Sequence, residues 1–385
     1  MIRFSTAGES HGRGLIAILE GIPAGLTVHA EDIDVELARR QKGFGRGQRM
    51  RIETDTVTVL SGMRYARTIG SPIALFIKNK DWDNWQNLMS PVAVDIDGTI
   101  LLKPRPGHAD LSGLMKYGSK DFRDILERAS ARETAAKVAV GAVCKELLKE
   151  FGIKIISYTS QIGKVAADIK SVPKDQLWHN TEMSYVRCPD PKASKKMIQL
   201  IKKIGAKGDT LGGKFTIKVE NVPPGLGSHT QWDLKLDGRL AQSLTAVQAI
   251  KAVEFGEGVR LASIPGSLAH DEIYYSQKKG FYRDTNHAGG IEGGMSNGET
   301  IEITCTMKPI PSLAKPLRSI NLETKQAAKA EAVRSDTCAV PAAGVVGEAV
   351  VAFELARALK EKFGGDSIED MKQAFQSYKK RIEAI

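Results

Sequence analysis

Three reactive side chains stand side by side near the start of the sequence, in Gly8–Gly12 (GESHG). Glu9, Ser10 and His11 bring together an acid, a hydroxyl and an imidazole, the groups used in acid–base and nucleophilic catalysis. The segment also matches G-x-S-x-G, the nucleophile elbow of serine hydrolases, which must follow a strand and open a helix. Here seven residues precede it, and Leu15–Pro23 favours a strand. We therefore interpret the segment as a glycine-rich turn between two strands, which leaves the reactive triplet unexplained.

A basic segment interrupted by glycines follows at Arg39–Arg51 (RRQKGFGRGQRMR). Glycines let backbone N–H groups approach an anion closely, and arginines bind carboxylate and phosphate through paired hydrogen bonds. This favours a site for a small anion. A solvated loop and a bound RNA strand are the alternatives, although Phe44 is the one local aromatic and nucleic-acid grooves usually interleave several. The six cations are Arg39, Arg40, Lys42, Arg46, Arg49 and Arg51.

A second histidine lies in a rigid turn, Pro104–Asp110 (PRPGHAD), which presents Arg105 and His108. The two prolines fix the backbone on either side of the arginine. A single histidine is more often structural than catalytic. We therefore count His108 as a candidate only if the fold brings it together with His11.

Ser130 and Glu133 form an S-x-x-E capping box ahead of a predicted helix over Ala131–Phe151. The start of such a helix offers unpaired N–H groups and the positive end of its dipole. Arg128 and Arg132 flank it. The pattern indicates a phosphate site, with an ordinary capped helix as the alternative.

A glycine-rich loop, Gly289–Gly298 (GGIEGGMSNG), precedes a strand and permits close approach to a flat ring or a phosphate. Lys308–Ser312 (KPIPS) stiffens the end of that strand. Arg334 and Asp336 precede an apolar helix, and charges beside buried structure usually have partners. Gly208–Phe215 (GDTLGGKF) lacks the final hydroxyl of a P-loop, so we reject that motif, and we find no metal-binding motif.

The elements that must position these residues follow from hydrophobic periodicity. Predicted strands are Thr56–Leu60, Ile73–Ile77, Ile153–Thr159, Lys214–Val219 and Thr300–Met307. Predicted helices are Asp32–Gln41, Ala131–Phe151, Leu234–Phe255, Val345–Phe363 and Ile368–Ile382. Strands do not alternate strictly with helices, so we expect an α+β arrangement.

Composition restricts the class of protein. The sequence has 385 residues, 42% hydrophobic and 26% charged, which excludes a disordered chain and a coiled coil. It holds no apolar run of the ~18–20 residues that a membrane span needs, and its start lacks the features of a secretory signal. We therefore expect a cytoplasmic protein. The net charge of +10 suits either a nucleic acid or a small polyanionic substrate.

The four cysteines are Cys144, Cys188, Cys305 and Cys338. Their spacing is too wide for a zinc or redox motif of the C-x-x-C type. We expect buried, reduced thiols that pack as small apolar residues.

In order and spacing, these motifs resemble the chorismate synthase family over essentially the whole chain. Three segments carry most of the resemblance: Gly8–Pro23, Glu127–Gly141 (ERASARETAAKVAVG) and Arg334–Val350 (RSDTCAVPAAGVVGEAV). The departures are small. Ala129 stands where a serine is commoner, and Lys137 where an arginine is.

The resemblance implies a lyase that eliminates phosphate from 5-enolpyruvylshikimate 3-phosphate to give chorismate, the last common step of aromatic amino acid biosynthesis in the shikimate pathway. The reaction is an anti-1,4-elimination that needs reduced FMN without net redox change. The implied fold is a β-α-β sandwich of two antiparallel sheets around long central helices.

The resemblance also implies one domain per chain (1–385) with no fused flavin reductase, usually in a homotetramer. An external flavin reductase would then supply reduced FMN, with NADPH possible only for flavin reduction. No metal, nucleic acid or membrane partner is expected.

Residue by residue, the family pattern implies that His11 donates a proton to the leaving phosphate and that His108 lies near the flavin. Ser10 and Asp336 resemble a proton relay. Arginines for the substrate, or in some descriptions for NADPH, would be Arg40, Arg46, Arg49 and Arg132. We favour the substrate, since a monofunctional chain needs no dinucleotide site. Implied FMN contacts are Arg128, Ala129, Ser130, Gln248, Ala249, Gly293, Lys308, Pro309, Ile310, Pro311, Ser312 and Arg334.

Overall fold

The structure is a computed structural model of the chain and describes residues 1–47, 54–94, 100–331 and 336–385. Its helices are α1 (Ala30–Gln41), α2 (Asp110–Tyr117), α3 (Arg123–Ala129), α4 (Thr134–Lys149), α5 (Leu177–Met183), α6 (Pro191–Gly205), α7 (Leu236–Thr245), α8 (Gly266–Ala269), α9 (Val340–Phe363) and α10 (Ile368–Glu383). Short 3-10 helices lie at Lys80–Asn84, Ala131–Glu133, Ile169–Ser171, Trp232–Leu234 and Gly258–Ser263.

The first sheet contains β1 (Arg3–Ala7), β2 (Gly14–Glu20), β6 (Ile73–Lys78) and β3 (Val57–Ser61) in that spatial order, and all its pairs are antiparallel. Burial alternates along β2, because Leu15 and Leu19 face the core while Ile16 and Ile18 face outward. The sheet presents the turn between β1 and β2 at one end.

The second sheet contains β10 (Ile250–Phe255), β15 (Ile301–Met307), β9 (Gly213–Glu220), β7 (Lys154–Ile162) and β8 (Val165–Ala166), again antiparallel throughout. Smaller ladders join the remaining strands: β4 (Met63–Arg64) with β5 (Arg67–Thr68), β11 (Tyr274–Ser276) with β12 (Gly280–Tyr282), β13 (Ile291–Glu292) with β14 (Met295–Ser296), and β16 (Arg318–Ile320) with β17 (Ala327–Lys329).

The long helices α4 and α9 pack on each other. Helix α4 contacts β2 and β6 of the first sheet, and α9 contacts β7 and β9 of the second. One hydrophobic cluster extends through both sheets and both helices. The predicted α+β character is confirmed.

The two helices are in tight contact at Gly141 of α4 and Ala349 of α9. A Cβ added at Gly141 would overlap the Cβ and Cα of Ala349 and would lie 2.7 Å from its carbonyl oxygen. Only a residue without a side chain permits this crossing, because the obstructing Cβ, Cα and carbonyl oxygen of Ala349 cannot rotate away as the end of a flexible side chain could.

We expect Gly141→Ala to destabilise the protein by ~1–3 kcal/mol, since the helices must separate to admit the methyl group. Urea unfolding followed by circular dichroism measures the effect. Gly238→Ala on α7 is the matched control, because its added Cβ would lie 3.8 Å from the Trp232 carbonyl oxygen, an ordinary van der Waals contact. The control should be neutral or more stable by up to about 1 kcal/mol through helix propensity. Equal effects at the two sites would contradict the close crossing.

Helix α9 also carries a fully buried carboxylate, Glu348. It accepts hydrogen bonds from Arg39 (2.7 Å), Lys145 (2.6 Å), Arg187 (3.2 Å) and the Ser157 hydroxyl (2.7 Å). Burial alone would raise the pKa of Glu348, but the charges of the three cations outweigh it and hold that pKa below its ordinary value. This cluster joins α1, α4, α9 and the second sheet.

Most predicted elements are confirmed within a few residues, but the helix expected over Leu234–Phe255 is wrong in its second half. Helix α7 ends at Thr245, and Ile250–Phe255 forms β10 instead. Between them Ala249 takes a positive φ of 68°, and its carbonyl accepts the Lys308 N–H at 2.9 Å. Pairing with β15 therefore decides the conformation, which local helix propensity could not predict.

The cysteine prediction is confirmed, since all four thiols are free and buried. Burial raises the pKa of Cys305 to about 12 and that of Cys338 to about 11, so both are neutral at physiological pH. None of the helices in the described residues has both the length and the apolar character needed to cross a bilayer.

Candidate active site

The turn expected between two strands is confirmed: β1 ends at Ala7 and β2 begins at Gly14. Gly8 takes a φ of 105°, and a Cβ there would collide with the Gly14 carbonyl. Because a strand rather than a helix follows Ser10, the geometry differs from a nucleophile elbow. The turn holds Ser10 in a buried position, with His11 partly exposed beside it.

His11 is held by Glu127, a residue of α3. The imidazole Nδ1 lies 2.9 Å and 3.0 Å from the two carboxylate oxygens, and the backbone N–H of His11 donates to Oε2 at 2.8 Å. The Glu127 side chain is 1% exposed, whereas the His11 side chain is 21% exposed. The imidazole therefore sits between a buried carboxylate and the surface of the site.

The face of the His11 ring stacks on the indole of Trp85, with centroids 3.9 Å apart and planes inclined by 24°. Trp85 is itself fixed, because its Nε1–H donates to Asp81 at 2.9 Å. The Arg123 guanidinium lies over the same indole, 5.7 Å from its centroid.

The residues around Glu127 attach α3 to the turn between β1 and β2, hereafter the first turn. The Ser10 N–H donates to the Glu127 carbonyl at 3.0 Å, and the Ser130 hydroxyl donates to the Ser10 hydroxyl at 3.1 Å. The Arg128 guanidinium donates to the carbonyls of Gly8 (2.9 Å) and Thr6 (3.0 Å). Arg128, Ala129 and Ser130 therefore lie directly against the turn that carries Ser10 and His11.

The capping box predicted at Ser130 is only half formed. The Ser130 hydroxyl accepts the Arg132 N–H at 3.3 Å, but it caps the 3-10 turn Ala131–Glu133 rather than α4. The Glu133 side chain bonds to Lys137 (2.9 Å) and Gln248 (2.8 Å) instead of returning to the cap. Two N–H groups expected to bind phosphate are thus used within the turn, since the Glu133 N–H also donates to the Ser130 carbonyl.

A buried cluster of charge lies beside the first turn. The Asp55 carboxylate forms ion pairs with the guanidinium groups of Arg40, at 2.7 Å, and Arg132, at 2.5 Å. Both arginines are at most 5% exposed. The Nε of Arg132 donates to Asn79, which directly follows β6, at 2.9 Å. Asn79 in turn donates to the Gly12 carbonyl at 2.8 Å. One fully buried amide therefore connects the arginine cluster to the turn that bears His11.

This cluster has more positive than negative charge. Burial lowers the pKa of Arg40 to about 10, with Asp55 opposing the shift and the charges of Arg132 and Arg46 adding to it. Arg40 nevertheless stays protonated at neutral pH. Its buried Nε has no hydrogen-bond partner among the residues that the structure describes. Such a cluster would be stabilised by an anion.

Arg46 pairs with Asp336 rather than with Asp55. The guanidinium of Arg46 lies 3.1 Å from one carboxylate oxygen of Asp336, and the Gly47 N–H donates to the other at 2.6 Å. The neighbouring Arg39 faces away from Arg40 and joins the Glu348 cluster. In the described part of the basic segment, Arg39 therefore belongs to a structural cluster, whereas Arg40 and Arg46 belong to the candidate site, so the expectation that all six cations bind one anion is wrong for Arg39. Arg49 and Arg51 lie outside the described residues.

The second histidine also pairs with a buried carboxylate. Asp110, at the start of α2, accepts His108 Nδ1 at 2.5 Å and the Arg105 side chain at 2.8 Å. Burial alone would raise the pKa of Asp110, but the hydrogen bonds from His108 and Arg105 outweigh it and hold that pKa below its ordinary value. Arg105 also donates to the Ser312 hydroxyl at 2.8 Å. The 104–110 turn and the 308–312 segment are thereby joined.

Several residues assigned to FMN meet around the end of β15. The Lys308 ammonium donates to the Gly107 carbonyl at 2.7 Å, and its backbone N–H donates to Ala249. Gln248 reaches Glu133 in the 3-10 turn beside Ser130. The Ile310 carbonyl accepts the Thr210 hydroxyl at 2.8 Å, within the segment that also includes Pro309 and Pro311. The contacts therefore connect the His108 turn, the 308–312 segment and the Ser130 turn.

Other predicted residues lie elsewhere or outside the described part. Gly293 is in the turn between β13 and β14, where the adjacent Gly294 carbonyl accepts the Leu236 N–H at 2.9 Å. Arg49 and Arg334 fall outside the described residues. Within the described residues, no group of three or more His, Cys, Asp or Glu side chains is arranged to hold a metal ion.

Sequence reasoning missed four residues that organise the site: Asp55, Asn79, Trp85 and Glu127. Each comes from a segment remote in the chain from the group it contacts. Of the four, Glu127 could most readily have been found from the sequence, because it opens the segment that also holds Ser130 and Arg132. Asp55 and Asn79 carry no local signal beyond polar character next to a strand.

Comparisons with known proteins show which family the chain belongs to. A family model described as chorismate synthase matches residues 2–359. The chain is 71% identical over 385 residues to a chorismate synthase of Endomicrobium trichonymphae, a match that covers 100% of both chains. It is 52% identical to a chorismate synthase of Aquifex aeolicus over 393 residues, covering 100% of this chain and 99% of the relative.

A solved crystal structure of chorismate synthase is also similar, with a TM-score of 0.80 and 44% sequence identity. The match covers 100% of this chain and 99% of the solved one. Similarity in sequence and in structure thus extends over the full length. The chain therefore belongs to the chorismate synthase family of lyases.

Proposed function

We propose that the chain eliminates phosphate from 5-enolpyruvylshikimate 3-phosphate to form chorismate, by an anti-1,4-elimination in the shikimate pathway. The single observation that carries this proposal is the link through Asn79 between a buried arginine cluster and the turn that bears His11. The substrate has two carboxylates and a phosphate, so it needs cationic partners and a proton donor in one place.

The arginines supply binding and orientation in this proposal. Arg40 and Arg132 are buried and already held in place by Asp55. Binding of an anion therefore costs little side-chain entropy, because the two guanidinium groups need not be reordered. Arg46 adds a third cation close enough to lower the pKa of Arg40. Arg49 is assigned to the same role on the family pattern alone.

The two histidines have separate roles in the proposed reaction. His11 lies beside the arginine cluster and donates a proton to the departing phosphate. His108, paired with Asp110, holds a proton next to the cofactor. Ser10 and Asp336 are assigned to the proton relay, with Ser10 bonded to Ser130 and Asp336 bonded to Gly47.

The described residues fit an FMN site. Among these residues, the Oε1 of Gln248 is buried without a partner, and a Cβ built at Gly293 would meet no described atom within 4 Å apart from its neighbours in the chain. A buried acceptor without a partner suits a ligand that carries N–H and hydroxyl donors, and the separate open space at Gly293 leaves room for a ligand to approach its backbone. Reduced FMN, when bound, supplies electron density that assists departure of the phosphate without net redox change.

The residues that would hold FMN are Arg128, Ala129, Ser130, Gln248, Ala249, Gly293, Lys308, Pro309, Ile310, Pro311, Ser312 and Arg334. Ser312 is nearly buried and anchored by Arg105, so it offers a fixed contact rather than a mobile one. Ala249 adopts a positive φ, which costs a non-glycine residue ~1–3 kcal/mol and is found mainly at functional sites.

The proposal also covers the fold, the number of domains, the oligomeric state, the source of reduced FMN and the location of the protein. The two antiparallel sheets would enclose α4 and α9 as a sandwich, which is supported by the packing of α4 mainly on the first sheet and of α9 mainly on the second. We propose a single domain without a fused reductase, a homotetramer, reduced FMN from an external reductase and a cytoplasmic location. NADPH would serve only to reduce the flavin.

An oxygen-free assay tests the reaction. With chemically reduced FMN and substrate, we expect release of phosphate together with a new conjugated diene absorbance, which ester hydrolysis would not produce. Oxidised FMN is the control and should support no turnover. NADPH with oxidised FMN should also fail until a flavin reductase is added, and turnover without the reductase would contradict the external source.

The absence of phosphate release under reduced conditions would contradict the proposed function. Labelling of the chain by a fluorophosphonate, lost in Ser10→Ala, would then favour a hydrolase. Salt-dependent affinity for oligonucleotides would favour RNA binding.

A further inference from the structure

We propose that Glu127 is a positioning residue for His11. It keeps a hydrogen on Nδ1, so that Nε2 is the nitrogen that exchanges a proton with the substrate. The inference rests on the proposed role of His11 as proton donor, and it adds the group that sets which nitrogen can act.

The contacts of the Glu127 carboxylate are specific to one side of the imidazole. Its oxygens lie 2.9 Å and 3.0 Å from Nδ1, and Oε2 also accepts the backbone N–H of His11 at 2.8 Å. An ionised carboxylate only accepts hydrogen bonds, so the hydrogen between the two groups belongs to Nδ1. The same carboxylate therefore fixes both the backbone and the ring.

Glu127 can hold this position because its own backbone is attached to the turn. Its carbonyl accepts the Ser10 N–H at 3.0 Å, and the next residue, Arg128, donates to the Gly8 carbonyl. The side chain is 1% exposed, so water does not compete for the carboxylate oxygens. Hydrogen bonds from both the backbone and Arg128 thus join α3 to the turn between β1 and β2.

Trp85 restricts the remaining freedom of the ring. A hydrogen bond in the ring plane still permits tilting about that bond, and stacking at 3.9 Å on the indole opposes the tilt. The carboxylate and the indole together define both the orientation and the tautomer of His11.

This arrangement permits proton transfer without rotation of the ring. As phosphate departs, the Nε2–H bond breaks and the proton forms an O–H bond with a phosphate oxygen. The electron pair of the broken bond stays on Nε2. The neutral ring keeps its hydrogen on Nδ1, still donated to Glu127, so the same hydrogen bond serves before and after the transfer.

The test compares Glu127→Gln, Glu127→Ala and Glu127→Asp with the unaltered chain under reduced FMN. The amide of Glu127→Gln can donate to Nδ1 and so select the opposite tautomer. We expect kcat to fall ~10–10²-fold, with KM changed less than about threefold, because the group acts on the proton donor and not on substrate binding. The loss in kcat should be smaller in Glu127→Asp, which keeps a carboxylate, than in Glu127→Gln, whereas Glu127→Ala should show the full loss.

Nuclear magnetic resonance of the histidine ring nitrogens gives a readout that needs no turnover, with His11 assigned by its loss in His11→Ala. We expect a hydrogen on Nδ1 throughout the neutral range in the unaltered chain, and a shift toward the Nε2–H tautomer in Glu127→Gln. Glu354→Gln is the matched control. Glu354 is a buried carboxylate on α9 that accepts a hydrogen bond from the Ser243 hydroxyl at 2.6 Å. It should leave the His11 signals unchanged.

An unchanged His11 tautomer in Glu127→Gln, or a loss in kcat below threefold, would overturn the positioning role. Absence of turnover in the unaltered chain would instead contradict the proposed function, because the resonance measurement is made without substrate. The two failures are therefore distinguishable.

Discussion

Replacement of His11 by alanine is expected to lower the rate of phosphate release ~10²–10⁴-fold, the usual contribution of a positioned proton donor. His108→Ala should cause a loss in the same range, because its imidazole is held by Asp110 beside the residues assigned to the cofactor. The measurement is the oxygen-free assay with chemically reduced FMN at saturating substrate.

His179→Ala is the matched control for both variants. His179 lies on α5 and is exposed, so its loss should not change the rate. Binding of substrate, measured by equilibrium dialysis, should persist in His11→Ala because the arginine cluster is intact. Losses below tenfold in both variants would remove the roles assigned to the two histidines.

Replacement of Glu348 by alanine is expected to destabilise the chain by ~3–5 kcal/mol, as for other broken buried ion pairs. Three cations converge on this carboxylate, and its removal leaves Arg39, Lys145 and Arg187 with unbalanced buried charge. Urea unfolding measures the change. A loss below about 1 kcal/mol would show that the cluster contributes little to stability.

The same residue gives stability a pH dependence of known sign. The pKa of Glu348 is lower in the folded chain than the ordinary value of 4.5, so its contribution is complete above that value and is lost as the pH falls below it. Glu348→Gln should therefore flatten the acid side of the stability curve.

Glu354, on the same helix, provides a contrast. Burial raises the pKa of Glu354 above its ordinary value, so its contribution is complete at low pH and declines as the pH rises through the folded value. Stability curves of Glu348→Gln and Glu354→Gln that bend in the same direction would contradict the assigned shifts.

Prediction from sequence worked best for elements that carry their own signal. Strands such as β9 and β15 alternate apolar and polar residues, and α9 is apolar over much of its surface, so their type and approximate bounds could be predicted. The stretch that became β10 was mispredicted, because its conformation depends on pairing with β15 rather than on local propensity.

The residues of the candidate site likewise fall into those that the sequence could predict and those that it could not. Ser10, His11, His108 and the arginines could be selected because their types and spacing suggest chemistry. The partners that hold them could not be selected, since Glu127, Asp55 and Asn79 lie 116, 15 and 53 positions from the residues they contact.

The sequence by itself determined which reactive groups are available, in what order, and to which family the chain belongs, because those depend on residue identity and spacing along the chain. The tertiary structure decided which carboxylate holds each imidazole, which arginine faces the site and which faces Glu348, and where two helices touch. Hydrogen bonds and ion pairs act over a few ångströms in space, so only the folded arrangement of distant segments can select them.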